Sequence, residues 1–330
     1  MTQINRRTLL AGAAATGAFA ATASFATEDV LTPAADLSGK SVLITGCSTG
    51  FGRLASEHFA RQGAKVFATM RNLPRPEAQE LAAVAEADDL DLHIIEIDVL
   101  SDEQVEAGVA RAIEINGGAI DVVINNAGIS YGGPVEIQDL EATKHTFDTN
   151  VFGPQRMIRA VLPAMRAAKS GLIINVSSQL GRVIAPSYGM YSPTKFALEA
   201  LSEGLAYELV PHGVDVTVIE PGGYPTMIWS NANENSLALL ERADGTHTDG
   251  YPALVSRLGQ RTGGGSTDPM DVPRAMAEVI AMPAGTRPLR RPVHPGPKPQ
   301  MAINALTAEV QVQWLGNSPF GPWIKAVHNA

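Results

Sequence analysis

The sequence predicts an α/β protein built on a doubly wound parallel sheet, a single domain with a substrate loop or lid after the sixth strand. Three observations carry this reading. Short apolar runs alternate with helical periodicities from residue 37 onward. A glycine-rich turn joins the first such run to the first helix. No solenoid-period repeat, sustained heptad or obvious break interrupts the series.

The runs at 41–45 (SVLIT), 65–70 (KVFATM), 92–97 (LHIIEI), 121–125 (DVVIN), 172–176 (LIINV) and 214–219 (VDVTVI) read as strands covered on both faces. Helical spacing lies between them at 51–62, with Gly63 as C-cap, and at 102–115, 140–168 and 191–210. Right-handed crossovers turn that alternation into a Rossmann sheet. After Pro221 the chain becomes polar and rich in Gly, Asn and Thr through 222–268, with one short helix at 236–242; so long a connection is a lid or substrate loop. A helix at 271–281 and a last strand at 288–293 complete a domain spanning 37–294. Residues 295–330 form a C-terminal extension with a proline-rich start and Trp314, Phe320 and Trp323 among Gly and Pro. Its place stays open between the protein surface, a partner subunit and the mouth of the site.

Length alone, 330 residues, allows one large α/β domain or two small ones. The composition, 45% hydrophobic and 18% charged, is that of a globular protein with an ample core. A net charge of −9 without a long basic stretch excludes nucleic acid as an expected partner. The first 26 residues differ from the rest. They carry Arg6–Arg7, an Ala/Gly/Leu-rich stretch, no acidic residue, and small-residue cleavage sites such as 18–20, 21–23 and 24–26. That layout predicts a signal peptide of the twin-arginine type, followed by a linker at 27–36, and hence a periplasmic or secreted protein. A chain left unprocessed would stay cytoplasmic. The stretch is too short and too weakly apolar for a stable membrane span. The single cysteine, Cys47, excludes an intramolecular disulfide.

Between the first strand and first helix lies Thr45-Gly-Cys-Ser-Thr-Gly-Phe-Gly52. Gly46, Gly50 and Gly52 allow a tight turn, and the loop Ser48, Thr49, Phe51 and its glycines can bring backbone N–H groups against a pyrophosphate at the helix N-terminus. Some 20 residues on, where a carboxylate would hold the ribose hydroxyls of NAD, the chain has Met70 and then Arg71. An arginine without a carboxylate suits the 2′-phosphate of NADP better than NAD.

Tyr191 and Lys195 stand four apart at the front of a helix, on one face, with Pro193 tolerated in its first turn. A free tyrosine titrates near pH ~10, too high for acid–base work at neutral pH. A lysine one turn away, with the helix dipole, is expected to lower that value and make the phenol a proton donor or acceptor. Ser178, thirteen residues upstream at the end of a strand, can reach the same oxygen. The seven histidines are scattered without a metal-ligand spacing, so no metal site is expected. No G-x-S-x-G elbow surrounds Ser178, which disfavours a hydrolase.

With the glycine loop, Asn125-Asn-Ala-Gly128 after the fourth strand, and Ser178, Tyr191 and Lys195 in order, residues 37–293 resemble the short-chain dehydrogenase/reductase family. The TGxxxGxG spacing is similar to its simple oxidoreductase branch. The resemblance implies hydride transfer between an alcohol and a ketone or aldehyde, with Tyr191 as acid/base, Ser178 polarising the substrate oxygen and Lys195 binding nicotinamide ribose. It further implies that Asn150 interrupts a helix and holds a water in the proton relay, that Asp98 with Val99 lies beside the adenine, and that Asn126, Ala127 and Gly128 line the central cofactor pocket. Pro221, Gly222 and Thr226 would contact the nicotinamide carboxamide. The strings 66–72 and 221–226 resemble reductases of steroids, retinoids and other bulky carbonyls, and family relatives suggest a homodimer or homotetramer. A non-catalytic nucleotide sensor on the same fold is the alternative, and lyase or epimerase work is disfavoured by the glycine spacing.

Overall fold

The computed structural model describes residues 35–329; the expected signal peptide and nearly all of the linker lie outside the described residues. Seven parallel strands form one sheet in the order β3-β2-β1-β4-β5-β6-β7. They are β1 Ser41–Ile44, β2 Lys65–Met70, β3 Leu92–Glu96, β4 Val122–Asn125, β5 Gly171–Val176, β6 Val214–Pro221 and β7 Arg290–Val293. Strand order reverses between β1 and β4, and the cleft opens at that switch point, beyond the carboxyl ends of the strands.

Each strand is apolar on both faces because each face is covered. Val42, Ile44, Val66, Ala68, Ile124 and Ile174 face α1 (Gly50–Arg61), α2 (Pro76–Ala87) and α10 (Asp271–Ala281). Leu43, Phe67, Val123 and Ile173 face α3 (Asp102–Asn116), α5 (Gly153–Ala168) and α6 (Tyr191–Leu209). The period-two alternation of side chains thus fills two separate cores, and this is why the strand runs read as continuously hydrophobic.

Four departures from the sequence reading have local causes. The helix expected over 140–168 is broken into α4 (Leu140–Phe147), a wide π turn at Asp148–Phe152, and α5. Asn150 lies in the wide turn, and its side chain pairs with the backbone of Ile129 instead of facing solvent. Helix α2 was not expected; Pro76 in its first turn and Glu77 beside it are the start signals that mark it. The short helix at 236–242 is the second half of α7, Ile228–Arg242, and the polar stretch after it holds two single turns, α8 (Gly245–Thr248) and α9 (Pro252–Val255). The C-terminal extension is helical, as α11 (Gln300–Leu315) and α12 (Gly321–His328).

The extension packs on its own chain. Asn304 donates to Glu220 Oε2 at 2.7 Å and accepts from Arg182 at 2.9 Å, while Arg182 also reaches Thr307 Oγ1 at 2.6 Å. Helix α12 buries Ile324, and His328 meets Tyr207 of α6 at 2.7 Å. On its own chain the extension lies beside the loop that follows Ser178. No described helix is long and apolar enough to cross a membrane.

Candidate active site

The glycine loop between β1 and α1 is held by backbone contacts before any ligand enters. Gly46 and Gly50 have φ of +74° and +59°, which disfavours a side chain at either position. A Cβ on Gly52 would lie 2.4 Å from the Gly46 carbonyl oxygen, so α1 can start this close to the loop only with glycine there. Thr49 caps α1 without a side-chain bond, which leaves the first N–H groups of the helix open towards the cleft. Asn126 donates to the carbonyls of Thr45 and Gly46 at 2.9 and 3.2 Å, and Thr45 Oγ1 accepts from the N–H groups of Asn126 and Ala127. The loop is therefore tied to the end of β4.

A cavity of about 400 Å³ runs from this loop to the lid. At one end lie Arg71, Arg75, Asp98 and Val99; in the middle, Gly46, Ser48, Thr49, Gly50, Phe51, Asn126, Ala127 and Gly128. At the other end are Ser178, Tyr191, Lys195, Pro221, Gly222 and Thr226. Two expected site residues do not line it. Gly52 acts through the close approach just described, and Asn150 sits behind the wall, buried against Ile129. The elongated cleft, its phosphate cradle and its open helix N-terminus suit a dinucleotide, with Asp98 turned to its own loop by accepting from Leu100 N.

The chemical groups converge where β5 and α6 meet. Ser178 ends the strand segment, and its Oγ accepts from Leu180 N at 3.1 Å. Tyr191 opens α6, with its N–H on the Tyr188 carbonyl at 3.0 Å. One turn on, Lys195 Nζ is buried, donates to the Val176 carbonyl at 2.9 Å and lies 5.6 Å from the centre of the Tyr191 ring. Asn150 Nδ2 reaches Thr194 Oγ1 at 3.1 Å, and Thr194 in turn donates to the Tyr191 carbonyl at 2.7 Å. A Cβ on Gly128 would stand 3.3 Å from Asn150 Oδ1 and 3.7 Å from Lys195 Nζ, so Gly128 borders both groups.

The electrostatics correct one expectation. The Tyr191 phenol is not lowered but pushed up to about 12, because burial outweighs its hydrogen bond with Ser178. Lys195 does not offset this: its ammonium sits over the ring and bonds Val176, and its own burial lowers it to about 8, with the Glu199 carboxylate pulling the other way. Tyr191 is thus held protonated at neutral pH, the state of a proton donor.

Beneath this floor lies a buried ion cluster that the sequence did not announce. Arg290 bridges Glu199 at 2.8 Å and Glu203 at 2.6 Å, with Glu220 at 3.7 Å. Glu199 follows Lys195 by one helical turn, and Glu220 precedes Pro221 of the cleft. Burial and the Glu199 charge push Glu220 well above the ordinary carboxylate range. These partners are long-range in sequence, so no local spacing could reveal them.

The lid was legible only as a long polar connection. In the structure α7 is moored to the segment after β4: Gly132 N donates to Ser236 Oγ at 2.7 Å and Asn235 to the Ser130 carbonyl at 3.2 Å. Tyr224 packs edge-on against Phe51 of the glycine loop, with ring centres 5.6 Å apart, and accepts the Trp229 indole N–H on its carbonyl at 2.7 Å.

A doubly wound sheet with a dinucleotide cleft ending on a serine, a tyrosine and a lysine defines a nucleotide-dependent enzyme. Comparison with known proteins supplies the family: the short chain dehydrogenase profile matches residues 40–237. An uncharacterized oxidoreductase, YusZ, of Bacillus subtilis is 36% identical over 268 residues, covering 81% of this chain and 93% of its own. Human retinol dehydrogenase 8 is 39% identical over 269 residues, covering 76% and 80%. The crystal structure of a short-chain dehydrogenase from Streptomyces avermitilis superposes with a TM-score of 0.65 at 29% identity, covering 83% of this chain and 93% of that one. The chain belongs to the short-chain dehydrogenase/reductase family, and it is an NAD(P)-dependent oxidoreductase acting on CH–OH groups.

Proposed function

We propose that this enzyme is NADP(H)-dependent and interconverts an alcohol with a ketone or aldehyde, with Tyr191 as acid/base, Ser178 binding the substrate oxygen, and Lys195 and Asn150 supporting the tyrosine. The observation that carries the reading is the convergence of Ser178, Tyr191 and Lys195 at one end of the dinucleotide cleft. A bound nicotinamide supplies or accepts the hydride. Tyr191, kept neutral by burial, gives its proton to the carbonyl oxygen in reduction, and Ser178 shares the developing charge on that oxygen. Lys195, its ammonium over the Tyr191 ring and bonded to the Val176 carbonyl, takes the nicotinamide ribose. Asn150 holds the first turn of α6 through Thr194.

The preference for NADP rests on Arg71, exposed at the end of β2 where a carboxylate would suit NAD. Arg75 lies beside it but already pairs with Glu77 at 2.9 Å. Fluorescence titration of the purified chain with NADPH and NADH tests this, in wild type and Arg71→Asp. Tighter NADPH binding that reverses in the variant is expected; an unchanged ratio clears Arg71 of the role, and binding of neither nucleotide overturns the dinucleotide reading.

Export through the twin-arginine route, with the folded domain at 37–294 and the extension at 295–330, is part of the same proposal. It rests on residues 1–26. Fractionation that leaves the full-length chain in the cytoplasm would remove it. A homodimer or homotetramer is proposed from the family resemblance, and sedimentation decides between them.

A further inference from the structure

Among the described residues, the two ends of the cleft each carry an arginine without a carboxylate partner. Arg71 at the nucleotide end is accounted for above; Arg261, at the lid end, is not. It follows α9 in the polar connection and lines the same cavity as Ser178 and Tyr191. Its backbone is fastened to α7 on both sides: Arg261 N donates to Asn233 Oδ1 at 3.0 Å, and its carbonyl accepts from Asn233 Nδ2 at 2.8 Å. The guanidinium lies 4.3 Å from the centre of the Tyr188 ring and donates to the Ser187 carbonyl. Tyr188 in turn accepts the Tyr191 N–H, so Arg261 is stationed over the segment that leads into the catalytic helix.

What surrounds this cation is the informative part. Among the described residues no carboxylate pairs with Arg261, whereas Arg53, Arg156, Arg242, Arg274, Arg287 and Arg290 all have one. Among the described residues the only acidic one lining the cavity is Asp98, at the nucleotide end. The guanidinium lies against the Ser187 carbonyl with the Tyr188 ring beneath it, and the cavity that it lines also carries the apolar Ile129, Leu180, Ile228 and Trp229. A half-buried guanidinium with one carbonyl and one ring for company keeps most of its five donors for something else. Removing a charge from water without a counter-charge is costly, and an anion brought by the substrate would meet it in the bidentate geometry that arginine offers.

We propose that Arg261 is the anchor for an anionic group on the substrate, so that this enzyme acts on alcohols or carbonyls with an apolar body and a carboxylate-like end. The keto or hydroxyl oxygen lies at Ser178 and Tyr191, the apolar chain along Leu180, Ile228 and Trp229, and the anion on Arg261. This assignment rests on the oxidoreductase reading for the reacting end, while the anchor itself is a binding claim that can be tested apart from turnover.

The test uses 4-oxopentanoate, 6-oxoheptanoate and 8-oxononanoate, each beside its methyl ester, with NADPH and the full chain. The readout is the ratio of kcat/KM for acid over ester in wild type, Arg261→Gln and Arg261→Lys. A hydrogen-bonded charge pair discriminates by roughly ten- to a hundredfold; a wild-type ratio of that size at one chain length, falling towards one in Arg261→Gln and largely kept in Arg261→Lys, is the expected result. A ratio near one in the wild type, or one that Arg261→Gln leaves unchanged, overturns the anchor and makes Arg261 a staple of the lid. In parallel, octanoate and octanol are titrated calorimetrically into each protein, with and without NADPH. Octanoate binding that weakens at least tenfold in Arg261→Gln, with octanol indifferent, supports the anchor even if none of these ketones turns over; in that case only the choice of keto substrates falls. Equal binding of octanoate by wild type and Arg261→Gln overturns it.

Discussion

Replacing Lys195 with methionine is expected to make the protein more stable at neutral pH while removing its activity. The ammonium is fully buried, and burial lowers it from the ordinary 10.5 to about 8. A shift of that size corresponds to on the order of 3 kcal/mol of strain on the folded state wherever the group is charged in both states. Against this stands the hydrogen bond to the Val176 carbonyl at 2.9 Å, whose loss leaves a buried acceptor unpaired at about 1–2 kcal/mol. The balance favours Lys195→Met by on the order of 1–2 kcal/mol at pH 7, a rise of a few degrees in Tm for a domain of this size. The pH dependence has a definite sign. The folded state releases the proton near pH 8 and the unfolded chain near 10.5, so the penalty is complete below 8 and disappears as the pH rises through that window. Melting both proteins from pH 7 to 10.5 therefore isolates Lys195: the wild type should gain on the variant steadily between 8 and 10.5. A difference that stays constant across the window, or a variant less stable than wild type at pH 7, would refute the reasoning.

Three further outcomes follow from the geometry. Tyr191→Phe should lower turnover roughly 10²–10⁴-fold with NADPH affinity nearly intact; and because burial keeps the phenol protonated up to about 12, wild-type alcohol oxidation should climb with pH between 7 and 10. A flat oxidation profile, or activity retained in the phenylalanine variant, would assign the proton transfer elsewhere. Gly52→Ala places a Cβ 2.4 Å from the Gly46 carbonyl and 2.6 Å from Asn126 Nδ2, an overpacking costing about 1–3 kcal/mol. It should weaken nucleotide binding at least tenfold while circular dichroism stays native, and unaltered affinity would show that the loop tolerates the shift.

Much of the site was readable because its signals are local. The glycine spacing at 46, 50 and 52 and the helical spacing of Tyr191 and Lys195 are each set within a few residues, and the structure brings both to one cavity. The pKa of Tyr191 was not readable, because it depends on what covers the phenol and on where Lys195 turns. Both are outcomes of packing between β5 and α6. Helix α2 carried a start signal in Pro76 and Glu77, but its apolar face is thin, with Ala78, Leu81 and Ala85 buried. The extension offered only aromatic residues among Gly and Pro, and its contacts through Asn304 and His328 reach residues 84 and 121 positions away.

By itself the sequence determined the sheet, its cofactor loop and the order of the reacting groups, since apolar period, glycine placement and one-turn spacing are properties of neighbouring residues. The tertiary structure alone decided that Arg290 gathers three carboxylates under the site, that the lid reaches the glycine loop through Tyr224 and Phe51, and that Arg261 lines the cleft with no carboxylate partner among the described residues. Those relations depend on distance in space between segments far apart in the chain, and such distances are set only when the two cores close on either face of the sheet.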